Sequence, residues 1–229
     1  LDMNRRILLL ISICILAFNT GKAQKQPLSL VEKFLERRES YDAIKYHLIF
    51  KEKPFSEDDT LSLISNVELV RKPDDTLFHG ILYLDLDSVW FGYDLSRVMR
   101  FDKMNKILEY DVASEHPGLY IKSTIYNSLV DDGFLKKSRG MLDFFTDESI
   151  RKVFGDTLIN GTLCLGLKYF FPDEGDITNW MMFAALDTVS MTMKQKSMRI
   201  FFQGNEQYQE WNYSNVVYGN ETDIPELNI

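Results

Sequence analysis

Ile44-Lys45-Tyr46-His47-Leu48-Ile49-Phe50-Lys51 is the stretch from which the fold is read. Ile44, Tyr46, Leu48 and Phe50 fall on one side of an extended chain, and Lys45, His47, Ile49 and Lys51 on the other. That period of two marks a half-buried strand, because successive side chains alternate across a sheet. After a polar turn at Pro54 to Asp59 the alternation returns in Leu61, Leu63, Val67 and Leu69, and it breaks at Lys72-Pro73-Asp74-Asp75. A third strand is expected over Phe78 to Leu86. Ser88 to Tyr93, Arg97 to Phe101 and Lys106 to Tyr110 follow as shorter runs, divided by Asp94 and by Asp102-Lys103-Met104-Asn105. Consecutive strands with tight polar turns predict an antiparallel meander.

Working outward from the meander, the segment before it is helical in pattern. Val31, Phe34, Leu35 and Tyr41 recur on one side, while Glu32, Lys33, Glu36, Arg37 and Glu39 form the other. Ser29 followed by Glu32 reads as a capping box opening a helix that runs to about Ser40. Beyond the meander, His116-Pro117-Gly118 ends the alternation, and helices are expected from about Tyr120 to Phe154. One of these is capped by Thr146, carries Asp147 and Glu148 in its first turn, and stops at Gly155. Leu158 to Phe171, with turns at Asn160-Gly161 and Pro172 to Asp176, returns to strand character. Trp180 to Thr188, Ser197 to Gln203 and Gln207 to Val217 read as closing strands. The sum is an α+β chain built on a curved antiparallel sheet with an N-terminal helix and a helical insertion. A strongly curved sheet that cups a helix encloses an apolar space. Tyr46, Leu48, Phe50, Leu82 and Leu84 are the candidate lining of a ligand-binding interior there.

The N-terminus reads as an export signal over residues 1–23. Arg5 and Arg6 precede the apolar run Ile7 to Phe18, and Gly21 and Ala23 supply small residues before Gln24. As a helix that run reaches only about 18 Å, too short for a hydrocarbon core of about 30 Å. Residues 24–229 are then expected to form one periplasmic or secreted domain with no transmembrane helix. The chain carries a net charge of -8, and -10 without the leader, which holds three basic residues and one acidic one. That balance argues against nucleic acid as a partner. Cys164 is left as the lone thiol, flanked by Leu163, Leu165 and Leu167, and reads as buried and inert.

Catalytic signatures are missing from the sequence. His47, His79 and His116 stand far apart with no metal-ligand spacing, and there is no G-x-S-x-G elbow, phosphate-cradling glycine loop or C-x-x-C. Asp85 with Asp87 and Asp131 with Asp132 are the carboxylate pairs available for acid–base work, but they read better as a polar strand face and a turn after a helix. Asp173-Glu174-Gly175-Asp176 lacks the alternating oxygen ligands of a calcium loop and reads as a solvated turn. No cofactor and no metal is expected, and the residues present are read as non-enzymatic.

The capped helix, then Phe78-His79-Gly80-Ile81-Leu82-Tyr83 leading to Tyr93-Asp94 and on to Ile107-Leu108-Glu109-Tyr110, resembles the LolA-like family of periplasmic lipoprotein carriers. The arrangement is more closely similar to the N-terminal domain that precedes a TlpA-type thioredoxin-like domain in secreted proteins of some Gram-negative bacteria. There the last strand often reads like Gln207-Tyr208-x-Glu210-x-x-Tyr213-Ser214. The resemblance implies a half-open β-barrel closed by helices, whose apolar interior receives acyl chains. This sequence departs from the carriers in its long helical interlude and in lacking a recognisable membrane-contacting arginine. Two functions follow as expectations: an exported module that binds a lipid or other apolar ligand, or an accessory domain of a thiol oxidoreductase whose redox cysteines lie beyond Ile229. The proline-bearing tail Ile224 to Ile229 would then be a linker.

Overall fold

The computed structural model describes residues 27–55, 59–112, 128–145 and 147–220. The expected export signal, the His116-Pro117-Gly118 break, the Thr146 cap and the tail from Ile224 all fall outside these residues. Helix α1 covers 27–39. Since residues 27 and 28 are already helical, Ser29 lies within α1 and does not cap it. Six strands follow: β1 (Ala43–Lys53), β2 (Leu61–Arg71), β3 (Gly80–Leu86), β4 (Val89–Tyr93), β5 (Arg97–Asp102) and β6 (Ile107–Val112). Residues 128–129, helical, lead to the short helix α2 (Asp132–Leu135) and a 3-10 turn over Gly140–Phe145. Five strands complete the described chain: β7 (Arg151–Ile159), β8 (Thr162–Phe170), β9 (Ile177–Asp187), β10 (Thr192–Phe202) and β11 (Asn205–Gly219).

All eleven strands form one curved antiparallel sheet in the order β6-β5-β4-β3-β2-β1-β11-β10-β9-β8-β7. Two meanders, β1 to β6 and β7 to β11, are joined at the sheet's middle by the β1–β11 ladder, which runs from Ala43↔Gly219 to Lys53↔Tyr208. Most neighbours are therefore sequential hairpins, the locally cheap pairing. Asn160 and Gly161, at φ 49° and 80°, make the two-residue β7–β8 turn of the type whose twist matches the strands it joins.

The expected helix over Asp147 to Gly155 is a correction: Arg151–Ile159 is strand β7, with Gly155 paired to Gly166. Its N-terminal signals serve a turn. Asp147 accepts from the Ser149 amide at 2.9 Å and the Ser149 hydroxyl at 2.7 Å, a local geometry that competes with helix capping for the same residue types. β7 is an edge strand with no deeply buried side, so it shows no clean alternation.

One face of the sheet carries two apolar clusters. The first joins Ile44, Tyr46, Leu48 and Phe50 of β1 to Val67 and Leu69 of β2 and to Leu82 and Leu84 of β3, covered by Leu129, Val130, Phe134 and Leu135 from the helical interlude. The second joins Val31, Phe34 and Leu35 of α1 and Leu142 of the 3-10 turn to Leu165, Leu167, Tyr169, Ala184 and Leu186 of β8 and β9. The leading helix thus covers the β8–β9 half and the interlude covers the β1–β4 half. Arg71, with its side chain buried, ties the covering layer down. Its Nε and Nη2 donate to the Phe134 carbonyl at 2.9 and 2.8 Å, and its Nη1 donates to the Tyr41 carbonyl at 2.7 Å.

Candidate functional site

Between the two clusters, over the β1–β11–β10 centre of the sheet, lies a cavity of about 360 Å³. Phe34 and Arg38 of α1 and Val130 to Gly133 of the interlude form its roof, with Arg139, Gly140 and Leu142 at one side. Ile44 and Tyr46 of β1, Met182 of β9, Met193, Lys196 and Met198 of β10, and Trp211, Tyr213, Val216 and Tyr218 of β11 form its floor. Its size is at the lower end of the roughly 300–1,000 Å³ found for small-molecule sites.

Bulges aim the floor. The β1–β11 register gains one residue on β11 between Lys45/His47 and Val217/Ser214, with Asn215 at φ 52°. Asparagine accepts that left-handed conformation better than most residues. The extra residue lets Tyr213, Val216 and Tyr218 all meet the cavity, which strict alternation from Tyr213 would not allow. A second irregularity, on β10 between Met193 and Gln195, brings Met193 and Lys196 to the same side.

The walls are pinned by hydrogen bonds to the interlude. The Tyr46 hydroxyl donates to the Leu129 carbonyl at 2.8 Å and accepts from the Asp131 amide at 3.1 Å. Trp211 Nε1 donates to the Ser128 carbonyl at 2.7 Å. Asp131 accepts from the Phe134 amide as the N-cap of α2 and pairs with Arg38 Nη2 at 2.8 Å. Arg38 Nη1 donates to the Ser138 carbonyl at 2.8 Å. A Cβ on Gly133 would lie 2.8 Å from Arg38 Nη2, so this glycine makes room for the guanidinium.

Charge around the cavity is unbalanced. Arg38 is matched by Asp131, and Asp132 is matched by Lys136 at 2.8 Å. Lys196 has no carboxylate within ion-pairing distance and no hydrogen-bond acceptor among the described residues; its ammonium lies 4.4 Å from the centre of the Trp211 ring. Desolvation by the surrounding protein lowers the Lys196 pKa; Asp131 opposes this and the Arg38 charge adds to it. Desolvation likewise raises the Tyr213 hydroxyl well above its ordinary value, with the Asp131 charge acting in the same direction.

Of the five residues expected to line an interior, Tyr46 is on the cavity wall. Leu48, Phe50, Leu82 and Leu84 are fully buried in the first cluster, alongside the cavity and packed under the interlude. The carboxylate pairs are separated by their partners. Asp85 pairs with Lys103 at 2.6 Å, Asp87 is exposed, and Asp131 and Asp132 take the cap and pair roles given above. In the Pro172 to Asp176 turn, Asp173 accepts from the Asn179 amide at 2.8 Å. Cys164 is buried, and burial pushes its thiol up. Among the described residues no group of three His, Cys, Asp or Glu side chains is placed to hold a metal ion, and no helix is long and apolar enough to cross a membrane.

The sequence reading passed over Arg38 and Lys196, though each left a signal. Arg38 continues the 31/34/35 stripe of α1 at helical spacing. Lys196 shares a strand face with Met198, where alternation asks for an apolar residue.

No protein-family profile and no curated protein matches the chain. Solved structures similar to it include the Mycobacterium tuberculosis lipoprotein LppX, at 11% identity over 84% of this chain and 95% of that one, with a TM-score of 0.47. LprF of Mycobacterium bovis is 9% identical over 84% and 93%, with a TM-score of 0.49. A LolA superfamily protein of Nitrosomonas europaea is 10% identical over 87% and 94%, with a TM-score of 0.27.

Proposed function

We propose that this chain is an exported, non-catalytic binding module that holds the acyl chain of a lipid or a comparable apolar ligand in the cavity over β1, β11 and β10. The observation that carries the reading is the cavity itself: about 360 Å³ left open between two packed apolar clusters. Cores pack to crystal-like density, and voids larger than a water molecule are few. A space of this size walled by Met182, Met193, Met198, Trp211 and Val216 therefore reads as a binding site. Methionine adapts to irregular apolar shapes, which suits a flexible hydrocarbon. In this reading Tyr46 touches the ligand, while Leu48, Phe50, Leu82 and Leu84 form the firm apolar bed beside it. The volume suits one chain better than the several chains of a lipoprotein anchor. Export rests on the residue 1–23 signal. The accessory-domain reading, with a thioredoxin-like partner beyond residue 229, gains no support from the similar structures.

The test uses purified protein. Solvent extraction and mass spectrometry should release a stoichiometric lipid, or a neutral environment-sensitive alkyl probe should bind at one site and change the fluorescence of Trp211, which lines the cavity. Absence of both a co-purifying lipid and alkyl-probe binding would overturn the reading.

A further inference from the structure

The floor of the cavity carries one group that an acyl chain alone does not need. Lys196 stands on β10 between Ala184 of β9 and Trp211 of β11, within the lining. Its ammonium rests against the Trp211 ring at 4.4 Å and meets no acceptor among the described residues. A desolvated, unpaired cation costs free energy unless something pairs with it. Of the two carboxylates in the lining, Asp131 is committed to Arg38 at 2.8 Å and to the cap of α2. Asp132 is committed to Lys136. On a chain of net charge -8 this pocket therefore keeps a spare positive charge. The Tyr213 hydroxyl lines the same space, with no hydrogen-bond partner among the described residues, and is a second donor.

Resting on the acyl-binding reading above, we infer that the ligand is a single-chain amphiphile with an anionic head, and that Lys196 pairs with that head while Tyr213 donates to it. The chain then lies among the methionines of β9 and β10 and against Tyr46. A carboxylate or a phosphate monoester supplies the same chemistry, an oxyanion accepting charge-assisted hydrogen bonds. Burial sharpens the choice of head. Inside the cavity a neutral head would leave the ammonium unpaired, so discrimination comes from the penalty on the wrong ligand as much as from attraction to the right one. Lys196 is half-buried, and the desolvation that lowers its pKa makes the ammonium depend on its counter-ion.

The experiment compares decanoate, decyl phosphate and decanol, three heads on one chain, by displacement of a neutral alkyl probe from wild type, Lys196→Met and Lys196→Arg. Wild type should bind at least one of the two anions about tenfold or more tightly than decanol, the worth of one charge-assisted hydrogen bond. The better anion identifies carboxylate or phosphate as the head. Lys196→Met should erase that preference while leaving decanol binding within about twofold, and Lys196→Arg should restore part of it. Should Lys196→Met fail to fold, Lys196→Gln takes its place. Equal binding of all three ligands by wild type, or a preference that survives the loss of the ammonium, overturns the inference and leaves apolar binding standing. Failure of all three ligands and of the probe overturns the acyl-binding reading and this inference with it.

Discussion

Arg38 Nη2 meets Asp131 Oδ1 at 2.8 Å across 93 residues of sequence. The contact joins α1, which covers one half of the sheet, to the cap of α2, which covers the other, and it spans the roof of the cavity between them. The arginine side chain is 7% exposed and the aspartate 29%. Arg38→Met leaves Asp131 without its cation and the Ser138 carbonyl without its donor. Stability should fall by about 2 kcal/mol, less than the roughly 3–5 kcal/mol of a fully buried pair because Asp131 is partly wet. Urea titration of Arg38→Met, Asp131→Asn and the double variant should show clearly less than additive losses; additivity would mean that the two residues do not act together.

Tyr46→Phe keeps the ring in the cavity wall and removes the hydroxyl that bonds Leu129 and Asp131. Leaving a buried carbonyl and an amide unmatched should cost about 1–3 kcal/mol. Hydrogen exchange should locate the loosening at residues 128–135. Protection unchanged there would show that the interlude is held by packing alone.

Gly80 opens β3 with backbone and side-chain atoms crowded against it: a Cβ there would lie 2.3 Å from the Val70 carbonyl oxygen and 2.7 Å from Leu135 Cδ2. Gly80→Ala should therefore cost about 2–3 kcal/mol as an overpacked site. Gly155→Ala on β7, with nothing within 4 Å of the added carbon, should be neutral or mildly stabilising. A thermal melt showing equal effects for the two would contradict this contrast.

Acid should act on the β4–β5 turn. Partial burial alone would raise the Asp94 carboxyl, but hydrogen bonds from the Arg97 and Ser96 amides, the Ser96 hydroxyl and the Arg97 guanidinium outweigh it and hold the pKa at about 2. Because the folded value is depressed, the carboxylate's contribution is complete above the unfolded value near 3.9 and fades as pH falls from about 4 to about 2. The stability gap between wild type and Asp94→Asn should be flat above about pH 5 and close over that window. A gap independent of pH would remove Asp94 from the acid response.

How much of this was visible in the residues depends on how each strand is buried. β1 and β3 have one covered face and one wet face, so Ile44, Tyr46, Leu48 and Phe50, or Leu82 and Leu84, announce themselves by alternation. β7 at the sheet edge has no such contrast, and the Thr146 cap with Asp147 and Glu148 behind it pointed to a helix where Asp147 serves a turn and a strand follows. The apolar bed was legible for the same reason that β1 was. The cavity floor was harder, since the Asn215 irregularity and the one between Met193 and Gln195 decide which side chains face inward. Period counting assumes no such slips. Arg38, Asp131 and the β10–β11 hairpin that carries Lys196 and Tyr213 come from three distant segments, and only the β1–β11 ladder and the interlude's hydrogen bonds bring them to one place.

That ladder has a kinetic consequence. Every other strand pair closes a local hairpin, while Ala43 must find Gly219 near the opposite end of the described chain. Distant pairings carry the larger loop-closure cost and form slowly. The two meanders are thus expected to assemble early as separate units and to be zipped together late. Because the cavity sits on this seam, an occupant bridges both units and acts as a clasp, slowing their separation more than it slows fraying at β6 or β7.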